Sequence, residues 1–128
     1  MLESDLADVK CTMSSLVIFT KNVRQMTTFY ENVLDLDAVV DAEDNALLRG
    51  DGGEIFIHAA HESVGTTYIP EDAAFKPAFN VASLTSALIQ VEDAGGDVTQ
   101  RTFEFGGVHH HDVLDPDGNV IQLRSNSK

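Results

Sequence analysis

The sequence predicts an α+β fold built from two βαβββ modules. The first observation is an internal repeat, because residues 15–20 align with residues 76–81 at an offset of 61 residues. The second is that the two halves end alike at an offset of 66 residues, where residues 51–57 and 117–123 each have the pattern of a turn and a strand. The third is size, since 128 residues with 43% hydrophobic and 23% charged side chains are typical of one folded domain.

After its first strand, each half continues into an amphipathic helix. The helical pattern is a set of apolar residues three or four positions apart: Val23, Met26, Tyr30 and Val33 in the first half, and Leu84, Leu88 and Val91 in the second. Asn22 and Ser83 lie where N-caps belong, and Gly95 with Gly96 predicts the end of the second helix.

Three strands are expected after each helix, so that both halves have the same element order. They cover residues 38–40, 46–49 and 51–57 in the first half, and 98–102, 109–114 and 117–123 in the second. These elements form one domain over residues 13–126, with modules at about 13–60 and 74–126. Residues 61–73, which include Gly65 and Pro70, are the predicted linker, and residues 1–12 are the predicted N-terminal extension.

The charge balance excludes several classes of partner. Eight Lys and Arg residues against 21 Asp and Glu residues give a net charge of −13, so binding to nucleic acid or to an anionic membrane is not expected. The long-range field favours a cationic ligand, and the alternative is an acidic surface kept for solubility. Because no signal peptide or apolar span is present and Cys11 is the only cysteine, we expect a cytoplasmic protein without disulfides.

Two motifs add a resemblance to a known family. The first helix carries Phe29-Tyr30, and the second half ends in Asp115-Pro116-Asp117-Gly118-Asn119 followed by a strand. Together with the doubled βαβββ order, these motifs resemble the vicinal oxygen chelate superfamily of glyoxalases, extradiol dioxygenases, fosfomycin-type resistance enzymes and bleomycin-binding proteins, over residues 13–125. The resemblance implies two modules that curl their sheets into a ligand-binding cleft, and it implies a homodimer.

Strand alternation predicts which side chains face the helices and which face the cleft. The aliphatic set expected against the helices is Leu16, Ile18, Ile55, Ile57, Phe79, Ile121 and Leu123. The mixed set expected to line the cleft is Ser15, Val17, Phe19, Glu54, Phe56, His58, Lys76, Ala78, Asn80, Val120, Gln122 and Arg124.

The three consecutive histidines need a strand register before their faces can be assigned. A loop over residues 115–118 places His111 opposite Gln122 and His109 opposite Arg124. His109 and His111 are then expected in the cleft, with His110 and Asp112 pointing away. A bulge would exchange the two sets.

The resemblance implies metal ligands at Ser15, Phe56, Lys76 and Gln122, but three of these side chains are unsuitable. Phe56 has no lone pair, the Lys76 ammonium repels a divalent cation, and Ser15 is a poor ligand. We therefore expect no metal and no other cofactor. The alternative is an unusual imidazole site for Zn, Ni, Fe or Cu, formed from His109, His110 and His111 with His58 and His61.

The candidate ligand-binding residues combine aromatic, imidazole and charged groups: Phe19, Phe56, His58, Lys76, His109, His111, Gln122 and Arg124. Lys76 is suited to pair with a carboxylate, phosphate or enolate of a ligand, with help from Arg124. The alternative for Lys76 is an internal salt bridge to an acidic residue such as Glu54.

Three functions are compatible with these residues. The leading hypothesis is a metal-free module similar to the bleomycin-resistance branch, which sequesters or senses a small organic molecule. The second is a lyase, isomerase or dioxygenase that uses a His-based metal site or Lys76 with a histidine as acid–base groups. The third is a structural or regulatory protein whose cleft is filled by its own side chains.

Overall fold

The computed structural model describes residues 15–60 and 75–126, and it confirms the α+β fold of two βαβββ modules. The first module contains β1 (Ser15–Thr20), α1 (Val23–Leu34), β2 (Asp37–Asp41), β3 (Asn45–Gly50) and β4 (Gly53–Ala59). The second contains β5 (Ala78–Asn80), α2 (Leu84–Asp93), β6 (Asp97–Phe105), β7 (Val108–Leu114) and β8 (Val120–Ser125). The predicted extension and linker, with Cys11 and His61, lie outside the described residues.

Each module forms a four-stranded mixed sheet, with strand orders β1-β4-β3-β2 and β5-β8-β7-β6. The first strand of each module runs parallel to the last, whereas the other neighbours are antiparallel. Val17 pairs with Phe56 in the first sheet, and Ala78 pairs with Gln122 in the second. Since the repeat offsets relate these two pairs, both modules have the same register.

The helix boundaries agree with the predicted caps, although the two caps differ. Ser83 accepts a hydrogen bond from the Ser86 amide at 3.3 Å, so it is a true N-cap of α2. Asn22 occupies the N-cap position of α1, but its side chain makes no capping bond and donates to Asp117 of the second module at 3.3 Å. At the end of α2, a Cβ on Gly96 would collide with the Leu114 carbonyl oxygen, which explains the glycine there.

The aliphatic set predicted to face the helices does so in both sheets. Ile55, Ile57, Ile121 and Leu123 are buried in one core cluster that includes residues of both helices. Helix α1 packs on β3, β4 and α2, and α2 packs on β6, β7 and β8. We call the opposite face of each sheet, which carries the mixed set of side chains, its open face.

Within the described residues no helix is long and apolar enough to cross a membrane.

A buried hydrogen bond connects α1 of the first module to the β7–β8 hairpin of the second. The Tyr30 hydroxyl donates to Asp115 Oδ2 at 2.6 Å. Asp115 also accepts bonds from the Asp117 amide at 3.0 Å, from the Asn119 amide at 2.9 Å and from Asn119 Nδ2 at 2.8 Å. One carboxylate therefore both shapes the hairpin and attaches it to the helix of the other module.

Burial controls the ionisation of this pair. Burial raises the pKa of the Asp115 carboxyl, although the hydrogen bonds from Tyr30 and Asn119 act in the opposite direction. Burial also raises the pKa of Tyr30 well above its ordinary value, and the charge on Asp115 adds to that effect. The phenol therefore remains a hydrogen-bond donor throughout the neutral range.

The register of the β7–β8 hairpin differs by one residue from the prediction. Asp115 N–H donates to the Asn119 carbonyl and Gly118 N–H donates to the Asp115 carbonyl, both at 2.9 Å. These bonds close a loop of three residues, Pro116 to Gly118, in which Gly118 has a φ of 90°. The loop is a β-turn from Asp115 to Gly118 whose last residue is a left-handed glycine. The assumed four-residue loop was wrong, and the shift exchanges the two faces of β7.

Candidate functional site

The open face of the first module is apolar and aromatic. Phe19 on β1 is 56% exposed, and Val17 and Val40 are also exposed. The His58 ring lies 6.0 Å from the Phe19 ring and 5.7 Å from the Phe56 ring, measured between centroids. These predicted site residues, Phe19, Phe56 and His58, therefore form one cluster on adjacent strands.

His58 has a fixed tautomer within this aromatic cluster. Its Nδ1 lies 2.9 Å from the Ala59 carbonyl oxygen, and because a carbonyl only accepts, Nδ1 is the donor. In the neutral ring Nε2 is then an acceptor. The first module consequently offers one hydrogen-bond acceptor among aromatic rings.

The open face of the second module carries a charged network instead. Lys76 Nζ lies 2.9 Å from Asp112 Oδ2, and Gln122 Nε2 donates to Asp112 Oδ1 at 3.3 Å. Arg124 Nε donates to Gln122 Oε1 at 2.8 Å. We call these four residues, Lys76, Asp112, Gln122 and Arg124, the polar network. It brings together three of the predicted site residues.

Asp112 is the centre of the polar network, although the register predicted from the sequence places it on the other face. Its side chain is 5% exposed, whereas that of Lys76 is 33% exposed. The internal salt bridge considered for Lys76 is present, but with Asp112 as partner, because Glu54 pairs with Arg49 at 2.6 Å. Lys76 neutralises a carboxylate that would otherwise be buried without a counter-charge.

His110 lies beside the polar network and packs against an exposed phenylalanine. The Phe103 and His110 rings are stacked, with centroids 4.3 Å apart and planes 6° apart. His110 is 8% exposed and pairs with Arg124 across the β7–β8 ladder. Its Nδ1 is buried and has no hydrogen-bond partner among the described residues. Phe103, which is 54% exposed, thus covers a buried imidazole on the open face.

The predicted positions of His109 and His111 on the cleft side are wrong. With the corrected register, His111 lies opposite Leu123 and His109 opposite Ser125, so both share the helix-facing side of the sheet. His111 Nε2 donates to the Thr99 carbonyl at 2.7 Å, and His109 Nε2 lies 3.9 Å from Glu104 Oε2. The loop chemistry explains the error, because a Pro-Asp-Gly loop with a left-handed glycine favours three residues over four.

An open cavity lies between the first strands of the two modules. Its volume is about 760 Å³, and its lining includes Ser15 of β1, Leu34 of α1, and Ala78 and Asn80 of β5. Because β1 and β5 are edge strands of their sheets, the cavity follows the boundary between the modules.

The four positions at which the resemblance implies metal ligands do not form a donor set. The Lys76 ammonium is held by Asp112, and both ends of the Gln122 amide are engaged by Asp112 and Arg124. Phe56 offers only a ring, next to His58. Across residues 15–60 and 75–126, no three His, Cys, Asp or Glu side chains are grouped so that they could hold a metal ion. Among the described residues, the side chains at Phe56, Lys76 and Gln122 are therefore a poor donor set for a divalent cation.

The fold therefore consists of two βαβββ modules in the same register, each with one open sheet face. Sequence comparison identifies the family that has this fold. The chain belongs to the Glyoxalase/Bleomycin resistance protein/Dioxygenase superfamily, whose family model matches residues 12–123. No curated protein sequence is significantly similar to the chain.

Solved structures show the same fold at low sequence identity. A glyoxalase/bleomycin resistance protein/dioxygenase family enzyme from Burkholderia phytofirmans PsJN has a TM-score of 0.71 and 20% identity, over 90% of this chain and 98% of that chain. A genomically encoded fosfomycin resistance protein from Listeria monocytogenes has a TM-score of 0.69 and 15% identity, over 91% of this chain and 94% of that chain. A glyoxalase/bleomycin resistance protein from Albidiferax ferrireducens T118 has a TM-score of 0.69 and 15% identity, over 88% and 97%. These similarities concern the fold.

Proposed function

We propose that this protein binds a small organic molecule on the open faces of its modules and does so without a divalent metal. The observation that carries the proposal is the side-chain chemistry of these faces. One presents exposed aromatic and aliphatic groups, and the other presents a hydrogen-bonded polar network. Apolar surface with a few fixed polar groups is the usual composition of a small-molecule site.

The polar network supports binding without metal. At two of the four implied ligand positions, Lys76 and Gln122, the side chains are already engaged with Asp112. A divalent cation placed there would have to displace an ammonium group from a nearly buried carboxylate. That exchange would bring the metal cation close to the displaced Lys76 ammonium, and the two positive charges repel each other. It would also break the hydrogen bonds of Gln122.

A homodimer is part of the proposal. Val17, Phe19 and Val40 are exposed apolar side chains on the open face of the first module. Exposed apolar groups of this kind mark ligand-binding or subunit surfaces. Light scattering should report twice the mass of one chain, and a particle with the mass of one chain would refute the dimer.

Metal content and ligand binding test the proposal together. Protein purified without added metal should contain no stoichiometric divalent ion, and its melting temperature should not respond to Ni²⁺ or Zn²⁺. A panel of small aromatic compounds should include some that raise the melting temperature saturably. Stoichiometric, tightly bound metal, or the absence of any stabilising compound, would refute the proposal.

A variant with a restored donor set provides the matched control. Ser15→His, Phe56→Glu, Lys76→His and Gln122→Glu together replace the unsuitable side chains with metal ligands. This variant should be stabilised by Ni²⁺ or Zn²⁺, by about 2.7 kcal/mol at a hundredfold excess over the dissociation constant. The same ions should leave the unmodified protein unchanged.

A second candidate is an enzyme that uses a histidine as general base. The observation in its favour is the fixed tautomer of His58, which leaves Nε2 as an acceptor on the open face. Turnover of any substrate by the purified protein should then be lost in His58→Gln and retained in His109→Gln, whose ring lies on the helix-facing side. Equal activity of both variants would exclude this role.

A further inference from the structure

The two ends of the polar network differ in how accessible their charges are. The carboxylate of Asp112 is nearly buried, and both of its oxygens are occupied, one by Lys76 and the other by Gln122. The Lys76 side chain is one-third exposed, and Arg124 is exposed. A ligand that approaches this face therefore meets two cations, whereas the one anion of the network is shielded.

The hydrogen bonds of the network also orient Arg124. Gln122 donates its amide nitrogen to Asp112, so its amide oxygen points to Arg124 and accepts from Nε. With Nε engaged in this way, the edge formed by the two terminal nitrogens of the guanidinium supplies the remaining donors of Arg124. That edge matches the two oxygens of a carboxylate or of a phosphonate.

An aromatic surface lies next to this cation. His110 pairs with Arg124 on the neighbouring strand, and Phe103 is stacked on His110 while more than half of its own surface remains exposed. An aromatic group that contacts Phe103 would bring an attached anionic group towards Arg124. Stacked or edge-on contacts between aromatic rings stabilise binding beyond the contribution of the apolar area that they bury.

We infer that the ligand of the open face of the second module is a small aromatic oxyanion, bound by the Arg124 guanidinium and the Lys76 ammonium with its ring against Phe103. This inference rests on the proposed small-molecule function and specifies the chemical class of the ligand. It differs from the cationic ligand that the net charge of −13 favours at long range. Charges in direct contact outweigh distant charges, because salt screens interactions beyond about 10 Å at 0.1 M.

Three nearly isosteric probes separate the charge of the ligand from its shape. Phenylacetate carries a carboxylate, phenylacetamide is neutral, and phenethylammonium is cationic. Isothermal titration calorimetry should give an affinity for phenylacetate about tenfold or more above that for phenylacetamide, and no saturable binding of phenethylammonium. Benzylphosphonate, compared with phenylacetate, distinguishes a phosphonate-type ligand from a carboxylate.

Two variants test the role of Arg124, which is exposed and is not part of the core. Arg124→Gln should weaken phenylacetate binding about tenfold or more and leave phenylacetamide binding nearly unchanged, and Arg124→Lys should recover only part of the loss. Arg24→Gln changes the net charge by the same amount, but Arg24 lies on α1 and pairs with Asp41, so it is the matched control. It should bind phenylacetate like the unmodified protein.

The outcomes distinguish this inference from the proposed function. Equal binding of phenylacetate and phenylacetamide, or tighter binding of phenethylammonium, would overturn the oxyanion inference and leave small-molecule binding intact. An equal loss of phenylacetate affinity in Arg24→Gln and Arg124→Gln would also overturn it, because the effect would then follow net charge. If no compound of the wider panel binds, the proposed function fails first and the inference fails with it.

Discussion

The two modules share a backbone register but present different chemistry on their open faces. In the first module the positions on β1 and β4 hold Val17, Phe19 and Phe56, whose side chains are apolar. In the second, the matching strands β5 and β8 hold Asn80, Gln122 and Arg124. The same backbone arrangement therefore carries an apolar surface on the open face of the first module and a hydrogen-bonded charged surface on that of the second.

This difference indicates which part of the repeat determines fold and which part determines function. The helix-facing residues are aliphatic in both modules, because both must pack on a helix and share one core. The open faces have no such constraint, so they were able to diverge. Function should consequently depend on the open-face side chains, and stability on the helix-facing side and on the contacts between the modules.

The turns that precede the last strands, β4 and β8, also differ between the two modules. The first is a short turn at Asp51 and Gly52, and Asp51 is exposed. The second has the buried Asp115, which accepts hydrogen bonds from its own loop and from Tyr30. The second turn is therefore a contact between the modules, whereas the first is only a connection.

The largest expected effect on stability comes from removing this contact. Asp115→Ala deletes the acceptor for the Tyr30 hydroxyl and for two groups of Asn119, and it should lower the free energy of unfolding by about 3 kcal/mol. Asp51→Ala, at the exposed turn of the first module, should change it by no more than about 0.5 kcal/mol. Urea unfolding of both variants measures the contrast. Equal effects would mean that the two turns do not differ energetically.

The Lys76–Asp112 ion pair of the second module should contribute more than the exposed Arg24–Asp41 pair of the first. Lys76→Met leaves the nearly buried Asp112 without its counter-charge and should cost about 2 kcal/mol. Arg24→Met breaks a pair whose side chains are 69% and 46% exposed, and it should cost less than about 1 kcal/mol. Adding Asp112→Asn to Lys76→Met should recover part of the loss. A similar cost for both single variants would contradict the burial argument.

The smallest effect is a dependence of stability on pH. Because burial raises the pKa of Asp115, the folded chain binds a proton more readily than the unfolded chain in the interval between the two pKa values. In that interval the unfolded state holds fewer protons, so this carboxyl makes folding more favourable as the pH falls and less favourable as it rises. Asp115→Asn should remove this contribution from the pH dependence of stability at pH values above the ordinary carboxyl pKa of 3.8. An unchanged slope would contradict the assignment.

Most of the fold could be predicted from the sequence, because the relevant signals are local and occur twice. The helical spacing from Val23 to Val33 and the aliphatic alternation at Ile55 and Ile57 depend on packing against one neighbour, and they repeat in the second half. The repeat also predicted the matching registers of Phe56 and Gln122.

The site could be predicted only in part, because a strand register decides which side chains meet. Lys76, Gln122 and Arg124 were assigned correctly to the open face, but their partner Asp112 was assigned to the other side by a one-residue error in the hairpin. The left-handed glycine at Gly118 was the signal that could have corrected the register. The stacking of Phe103 on His110 depends on the pairing of β6 with β7, which contains an irregularity between Val98 and Thr102 that sequence spacing does not show.

The central claim is that the open face of the second module, with its polar network, binds a small organic molecule without a metal. An NMR titration with phenylacetate tests this claim directly. It follows the amide chemical shifts of the isotope-labelled protein in the presence of a metal chelator. The claim predicts saturable shifts that are centred on His110, Gln122 and Arg124, with no change at Ile89 on the exposed side of α2. Shifts centred elsewhere, or binding that appears only when a divalent metal replaces the chelator, would contradict it.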